Sequence, residues 1–213
     1  MSFKNSKLIN CVSGIFTRYV FRRNSVITHI LKTSALLVYA STVFASPTVS
    51  VDTKYYSIYG SSAGELRKEM NSNSSIKQSG NTYDAYTSWY VNWRFNWNTD
   101  GGRCYMTKVT STVNVKFTLP KWKNRGDSNG MLRNKWDKYY MALINHENGH
   151  KKFGIGAAEE IESQLIKLSS KSCKTLEKKA NALGKNIIDK YASLEKEYDE
   201  ETNHGMNNGA IFP

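Results

Sequence analysis

The sequence predicts an α+β fold, with strands in the N-terminal half and helices after them. Strict period-two alternation runs through residues 89–97 and the alternation resumes over 105–119, the mark of strands with one buried face. From Trp136 onward apolar residues recur every three or four positions instead, the mark of amphipathic helices. A third observation, His146-Glu147-Asn148-Gly149-His150, puts a candidate site on the first of those helices.

The chain opens with 51 residues that contain no Asp or Glu. Lys4, Lys7, Arg18, Arg22, Arg23 and Lys32 precede the apolar run SALLVYASTVFA, which closes on Val43-Phe44-Ala45 before Ser46-Pro47. This build predicts a secretory signal peptide over residues 1–45, its apolar stretch too short for a stable membrane anchor. A mitochondrial address and a start downstream of Met1 are the alternatives. LINC at residues 8–11 has no apolar run before it and is set aside as a lipidation site. The leader carries six bases and no acid, so beyond it 24 basic and 18 acidic residues leave +6 rather than +12. That balance makes no case for nucleic acid. Residues 46–213 suit one domain and hardly two.

Within that domain, VDTKYYSIYG at 51–60 reads as a strand. SAGELRKEM at 62–70 reads as a short helix opened by Ser62, with Glu65 completing a capping box. After a polar loop, Trp89, Val91, Trp93, Phe95 and Trp97 line one strand face. The NTDGGR turn leads to a second strand, with Tyr105, Val109, Val113, Val115, Phe117 and Leu119 on one side and Lys108, Thr110, Asn114 and Lys116 on the other. The expected sheet is antiparallel, and the tryptophan row is read as sheet core rather than a ligand platform. Pro120 ends the strand, and KNRGDSNG links to the helices, its Arg-Gly-Asp taken as solvated loop.

The helix through His146 is expected to break or bend after Gly154 and Gly156. Gly149 within it costs about 1 kcal/mol of helix propensity, which hints at close approach of another backbone. A long C-terminal amphipathic helix follows from Cys173, Leu176, Ala180, Leu183, Ile187, Tyr191, Leu194 and Tyr198, ending near Tyr198. Cys11 belongs to the leader, so Cys104 and Cys173 remain as an even pair expected to form a disulfide on export. Such a bond is worth ~3–4 kcal/mol on the chain-entropy model. Two buried free thiols are the alternative.

On a helix, His146 and His150 stand one turn apart on the same side. Two neutral imidazoles so spaced suit one zinc ion, and Glu147 suits the base that takes a proton from an attacking water. Chance would produce H-E-x-x-H in a chain of this composition about 0.004 times. The competing reading is a polar helix face with two solvated histidines. Of the 4 histidines, however, His29 lies in the leader, and the motif uses two of the other three.

Further blocks accompany the motif: YYSIYG with ELRKEM behind it, YDAYTSWYVNW, Cys104, TLPKW, Cys173 and the terminal YDEETNHG…GAIFP. In this order, from Tyr55 to Pro213, the chain resembles a bacterial family described as secreted zinc-dependent proteases and catalogued as domain of unknown function 922. The resemblance implies a zincin-like metallopeptidase domain with one zinc. It implies peptidase activity; with the leader, the expectation is action in the periplasm or outside the cell on a peptide or protein substrate, cell-envelope material included. It names no substrate. The metzincin extension is absent, because Phe153 and Gly156 stand where its glycine and third histidine belong.

The third zinc ligand is expected to be His204, in the turn-rich tail beyond the last helix. Glu159 falls about 180° around the helix from His150 at 100° per residue, and Glu160 and Glu162 follow too closely to return beside it. A solvated tail histidine is the alternative for His204. Asp199 is a candidate for fixing a histidine tautomer from behind, or is simply a helix C-terminal acid. A second functional class stays open, an exported non-catalytic binding or structural protein stabilised by zinc. Dependence of turnover on Glu147 separates the two.

Overall fold

The computed structural model describes residues 46–78 and 80–212; the signal peptide expected over residues 1–45 lies outside them. The principal strands are β1 (Thr48–Ile58), β4 (Tyr86–Asp100) and β5 (Arg103–Trp122). Short strands β2 (Lys77–Gln78), β3 (Asn81–Thr82) and β6 (Ser169–Ser170) accompany them. The helices are α1 (Ala63–Asn73), α2 (Gly130–Leu165) and α3 (Cys173–Thr202). The α+β expectation therefore holds, with the sheet in the N-terminal half.

The sheet is mixed, not antiparallel. β4 and β5 form the expected antiparallel hairpin, but β1 pairs with β5 in parallel, Thr48 opposite Thr112 through Ile58 opposite Trp122. The order is β1-β5-β4. A parallel neighbour needs the chain to return to its starting end: α1 with β2 and β3 joins the end of β1 to the start of β4 at the same end of the sheet, and β4 makes the return run. Alternation reports which face of a strand is buried and carries no pairing direction, so this correction was not readable from the pattern. Pro120 lies inside β5, which runs on to Trp122; pairing to β4 has ended by Thr118, so no β4 ladder bond is lost there.

Trp89 and Val91 are buried and Trp93, Phe95 and Trp97 partly buried, so the tryptophan row is core, as expected. A fully buried large apolar side chain contributes about 1.5–3 kcal/mol, and the partly buried ones less. On β5 the expected phase fails at one point. A bulge sets Asn96 opposite Lys108 but Trp97 opposite Met106, leaving Thr107 over. Before it the even positions Cys104 and Met106 face inward and Tyr105 is exposed; after it the odd positions do. The bulge thereby turns Cys104 toward the helices, where it forms a disulfide with Cys173 at the start of α3.

Helix α1 starts as read, with Glu65 N–H donating to Ser62 Oγ at 3.2 Å. The Glu65 carboxylate reaches back to Ser61 N–H rather than to that of Ser62. The Arg-Gly-Asp tripeptide forms a 3₁₀ turn, in which Arg125 pairs with Asp137. Helix α2 does not break at its glycines. It is continuous for 36 residues, because Gly154 and Gly156 are contact points: a Cβ would lie 2.8 Å from the Trp89 ring at the first and 2.7 Å from Tyr191 at the second. Packing of aromatic rings onto the bare backbone outweighs the local propensity loss. Helix α3 runs four residues past Tyr198, to Thr202. No helix among the described residues is long and apolar enough to cross a membrane.

Candidate metal centre

The site forms where the middle of α2 meets the last turns of α3. His146, Glu147 and His150 are all buried on α2. The inward stripe of α3 reads Leu176, Ala180, Gly184, Ile188, Ala192, Glu195 and Thr202, with Asp199 half-buried on the same face. Acids thus occupy positions that the helical period assigns to the core, and they face the histidines.

Three donor atoms converge. His146 Nε2 lies 3.1 Å from His150 Nε2. Asp199 Oδ1 lies 3.1 Å from His146 Nε2 and 3.2 Å from His150 Nε2. A tetrahedral zinc with ligand bonds of about 2.0–2.1 Å separates its ligands by roughly 3.3 Å. The donor triangle fits that edge. Among the described residues, His146, His150 and Asp199 form the group able to hold a metal ion.

The far nitrogens of both rings are also engaged. His150 Nδ1 lies 2.9 Å from Glu195 Oε1, and His146 Nδ1 lies 3.4 Å from Thr202 Oγ1, whose own hydroxyl donates to the Tyr198 carbonyl. With the Nδ1 protons directed this way, both Nε2 atoms would present lone pairs to the triangle once a metal takes the place of any proton on them. The Tyr198 ring stacks on His146 with centroids 5.0 Å apart, and its hydroxyl donates to the His146 carbonyl at 3.3 Å. This explains Gly149, because a Cβ there would collide with the Tyr198 ring. The close approach expected at Gly149 is real, but the neighbour is a side chain.

The electrostatics follow from burial and charge. Burial disfavours a charged His150, yet bonds to Asp199 and Glu195 outweigh it and raise its pKa to about 10. Burial also works against an ionised Asp199, but the two histidines hold its carboxyl well below the usual carboxylate range. Burial pushes Glu195 up, opposed by His150. Glu147 is pushed up by burial too, opposed by His150 and by the Thr87 hydroxyl, which donates to Oε2 at 2.5 Å.

His204 stands at the rim. Its side chain is 42% exposed, and Nδ1 lies 3.4 Å from Asp199 Oδ1, outside the three-donor group. Its ring packs 4.7 Å from that of Tyr83. Asn203 and His204 both adopt positive φ, and Gly205 follows at +80°. A Cβ on Gly205 would stand 2.8 Å from His146 Cγ, so glycine is required there for both space and backbone angle. A cleft of about 660 Å³ opens over the centre, lined by Tyr83, Thr87, Glu147, His150, Asp199 and His204 among others.

The structure brings together His146, Glu147, His150 and Asp199. The glutamates passed over in the sequence are engaged elsewhere: Glu160 pairs with Lys190, and Glu162 accepts from Ser111. Sequence reasoning missed Glu195, Thr87 and Tyr198. A signal for Glu195 existed in its i, i+4 spacing from Asp199, in line with Ile188 and Ala192.

Fold and site define an α+β protein whose buried histidine–carboxylate centre is able to hold a metal ion. The chain belongs to the family described as bacterial protein of unknown function (DUF922), whose profile matches residues 53–205. No curated protein and no solved structure matches it.

Proposed function

We propose that the protein is a zinc-dependent hydrolase of peptide or other amide bonds, with a zincin-like division of labour. His146, His150 and Asp199 hold the metal, and Glu147 serves as general base. The observation that carries this reading is the donor triangle with edges of 3.1–3.2 Å beside a buried glutamate. Asp199 takes the ligand role, not the tautomer-fixing one, because it meets both rings at Nε2. Glu195 holds the opposite side of His150 and does the fixing.

A zinc ion bound there supplies Lewis-acid polarisation and a nucleophilic water near neutral pH. The residues of the chain do the rest. Thr87 fixes one Glu147 oxygen and leaves the second to take the proton of the attacking water. The raised pKa of Glu147 suits it to hold that proton and pass it to the leaving amine. The cleft of about 660 Å³ over the centre supports a substrate of some size, a peptide or protein, cell-envelope material included. The acid-free leader and the Cys104–Cys173 disulfide support action in the periplasm or outside the cell.

One observation favours the non-catalytic alternative. His204 Nδ1 stands at the rim 3.4 Å from Asp199 Oδ1, and a turn of its ring toward the two histidines would close the site as a fourth protein ligand. The deciding experiment measures metal content and screens peptide libraries and cell-wall fragments with the parent and Glu147→Gln. Turnover that needs Glu147 establishes the hydrolase. Stoichiometric zinc with no Glu147-dependent cleavage establishes the closed structural site.

A further inference from the structure

The two edges of the sheet are treated differently. Helix α2 packs against β4, whereas β1 is covered only at its C-terminal end, where Asn73 of α1 donates to the Ser57 carbonyl: of its 11 residues all but Thr53, Tyr56 and Ile58 are exposed. Among the described residues β1 pairs only with β5, so half of its N–H and C=O groups point outward with no strand to meet them. The odd positions of β1 share a face with buried Val113, Val115, Phe117 and Leu119 through the parallel register. That core face runs out from under the helices, leaving Val49, Val51 and Tyr55 at 39%, 50% and 49% exposure. Natural sheets protect such an edge with charge, proline or a bulge. β1 has one acid, Asp52, and one base, Lys54, and neither makes an ion pair among the described residues.

We infer that β1 is a self-complementary interface, at which a second copy of this chain adds its own β1 antiparallel about a two-fold axis through Thr53. One register satisfies the charged and the apolar positions of the strand. With Thr53 opposite Thr53, residues 50–56 overlap, and Ser57 keeps its bond from Asn73 of α1. Asp52 then faces Lys54 of the second copy, and Lys54 faces its Asp52, two opposite-charge pairs on one face. On the other face each exposed Val51 meets an exposed Tyr55. A slip to the neighbouring symmetric register sets Asp52 against Asp52 in one direction or Lys54 against Lys54 in the other, so the charges also select against misalignment. A two-fold perpendicular to the sheet keeps both helical layers on one side, with the Val51–Tyr55 pairs in the trough between them. This inference does not depend on the metal centre.

The test is sedimentation equilibrium of the full chain against concentration, with charge variants. The parent is expected to dimerise. Asp52→Lys and Lys54→Asp each put two like-charge pairs into the interface and are expected to weaken the dimer about tenfold or more. The double variant, Asp52→Lys with Lys54→Asp, restores both pairs and is expected to dimerise like the parent. An equimolar mixture of the two single variants is complementary in the same way and is expected to form a mixed dimer, which also shows that both are folded. A parent that stays monomeric at every concentration overturns the inference. So does a dimer indifferent to the single reversals, or a double variant and mixture that fail to recover association.

Discussion

Helix α2 carries two buried glutamates, Glu147 and Glu162, and each is met by a hydroxyl from the sheet: Thr87 of β4 for the first, Ser111 of β5 for the second. The device is the same and the outcome is different. Glu162 Oε1 accepts both the Ser111 N–H at 2.5 Å and its hydroxyl at 2.6 Å, in a setting without histidines. Glu147 has the Thr87 hydroxyl, borders the cleft and lies among histidines that draw on its charge. A carboxylate held by backbone and hydroxyl together is a strut between helix and sheet. One held by a hydroxyl at the cleft edge keeps capacity for a proton. Burial alone does not distinguish a structural acid from a chemical one; the remaining partners do.

That contrast is most directly broken at Glu147. Glu147→Gln keeps the fold and the metal and loses several orders of magnitude in kcat, since base and metal act as a unit. Steady-state kinetics beside metal analysis checks this; unchanged turnover in the loaded variant removes Glu147 from the chemistry. Next in size is the ligand set. Asp199→Asn should weaken zinc binding by more than about 100-fold, while His204→Ala stays within a few-fold of the parent, read by chelator competition. If the two variants exchange ranks, the ligands are His146, His150 and His204. Glu195→Gln, which leaves the donors in place but weakens the hold on His150, should cost about 10–100-fold in zinc affinity. The smallest effect sharpens the comparison from its other side. Glu162→Ala strands the Ser111 N–H and should cost about 1–3 kcal/mol of stability, with turnover per folded molecule unchanged. Thermal melts and active-site titration decide that case.

The parts legible in the sequence were those written in local periodicity: the Trp89–Trp97 face, the Ser62 cap, the helix through His146 and the Cys104–Cys173 pair. What was not legible depended on distant neighbours. The parallel placement of β1 is invisible to alternation, which has no direction. Thr107 carries no mark of the bulge that reverses the phase of β5 and aims Cys104 inward. Gly154 and Gly156 look like breaks until Trp89 and Tyr191 are seen lying on them. Asp199 was judged against a helix expected to stop at Tyr198. Four more helical residues turn it onto the face of Glu195 and into line with both histidines. Glu195 sits in a run of charges that reads as solvated surface, and only its stripe position gives it away.

The donors of the centre come from opposite ends of the helical half: two from the middle of α2, the third from the closing turns of α3. A ribosome makes His146 and His150 well before Asp199. The chain therefore has the motif before it has a three-donor centre, which comes into being only once α3 is complete and docked. A chain that stops short of Asp199 keeps H-E-x-x-H and lacks the carboxylate that completes the triangle, so completion of α3 and assembly of the centre are one event.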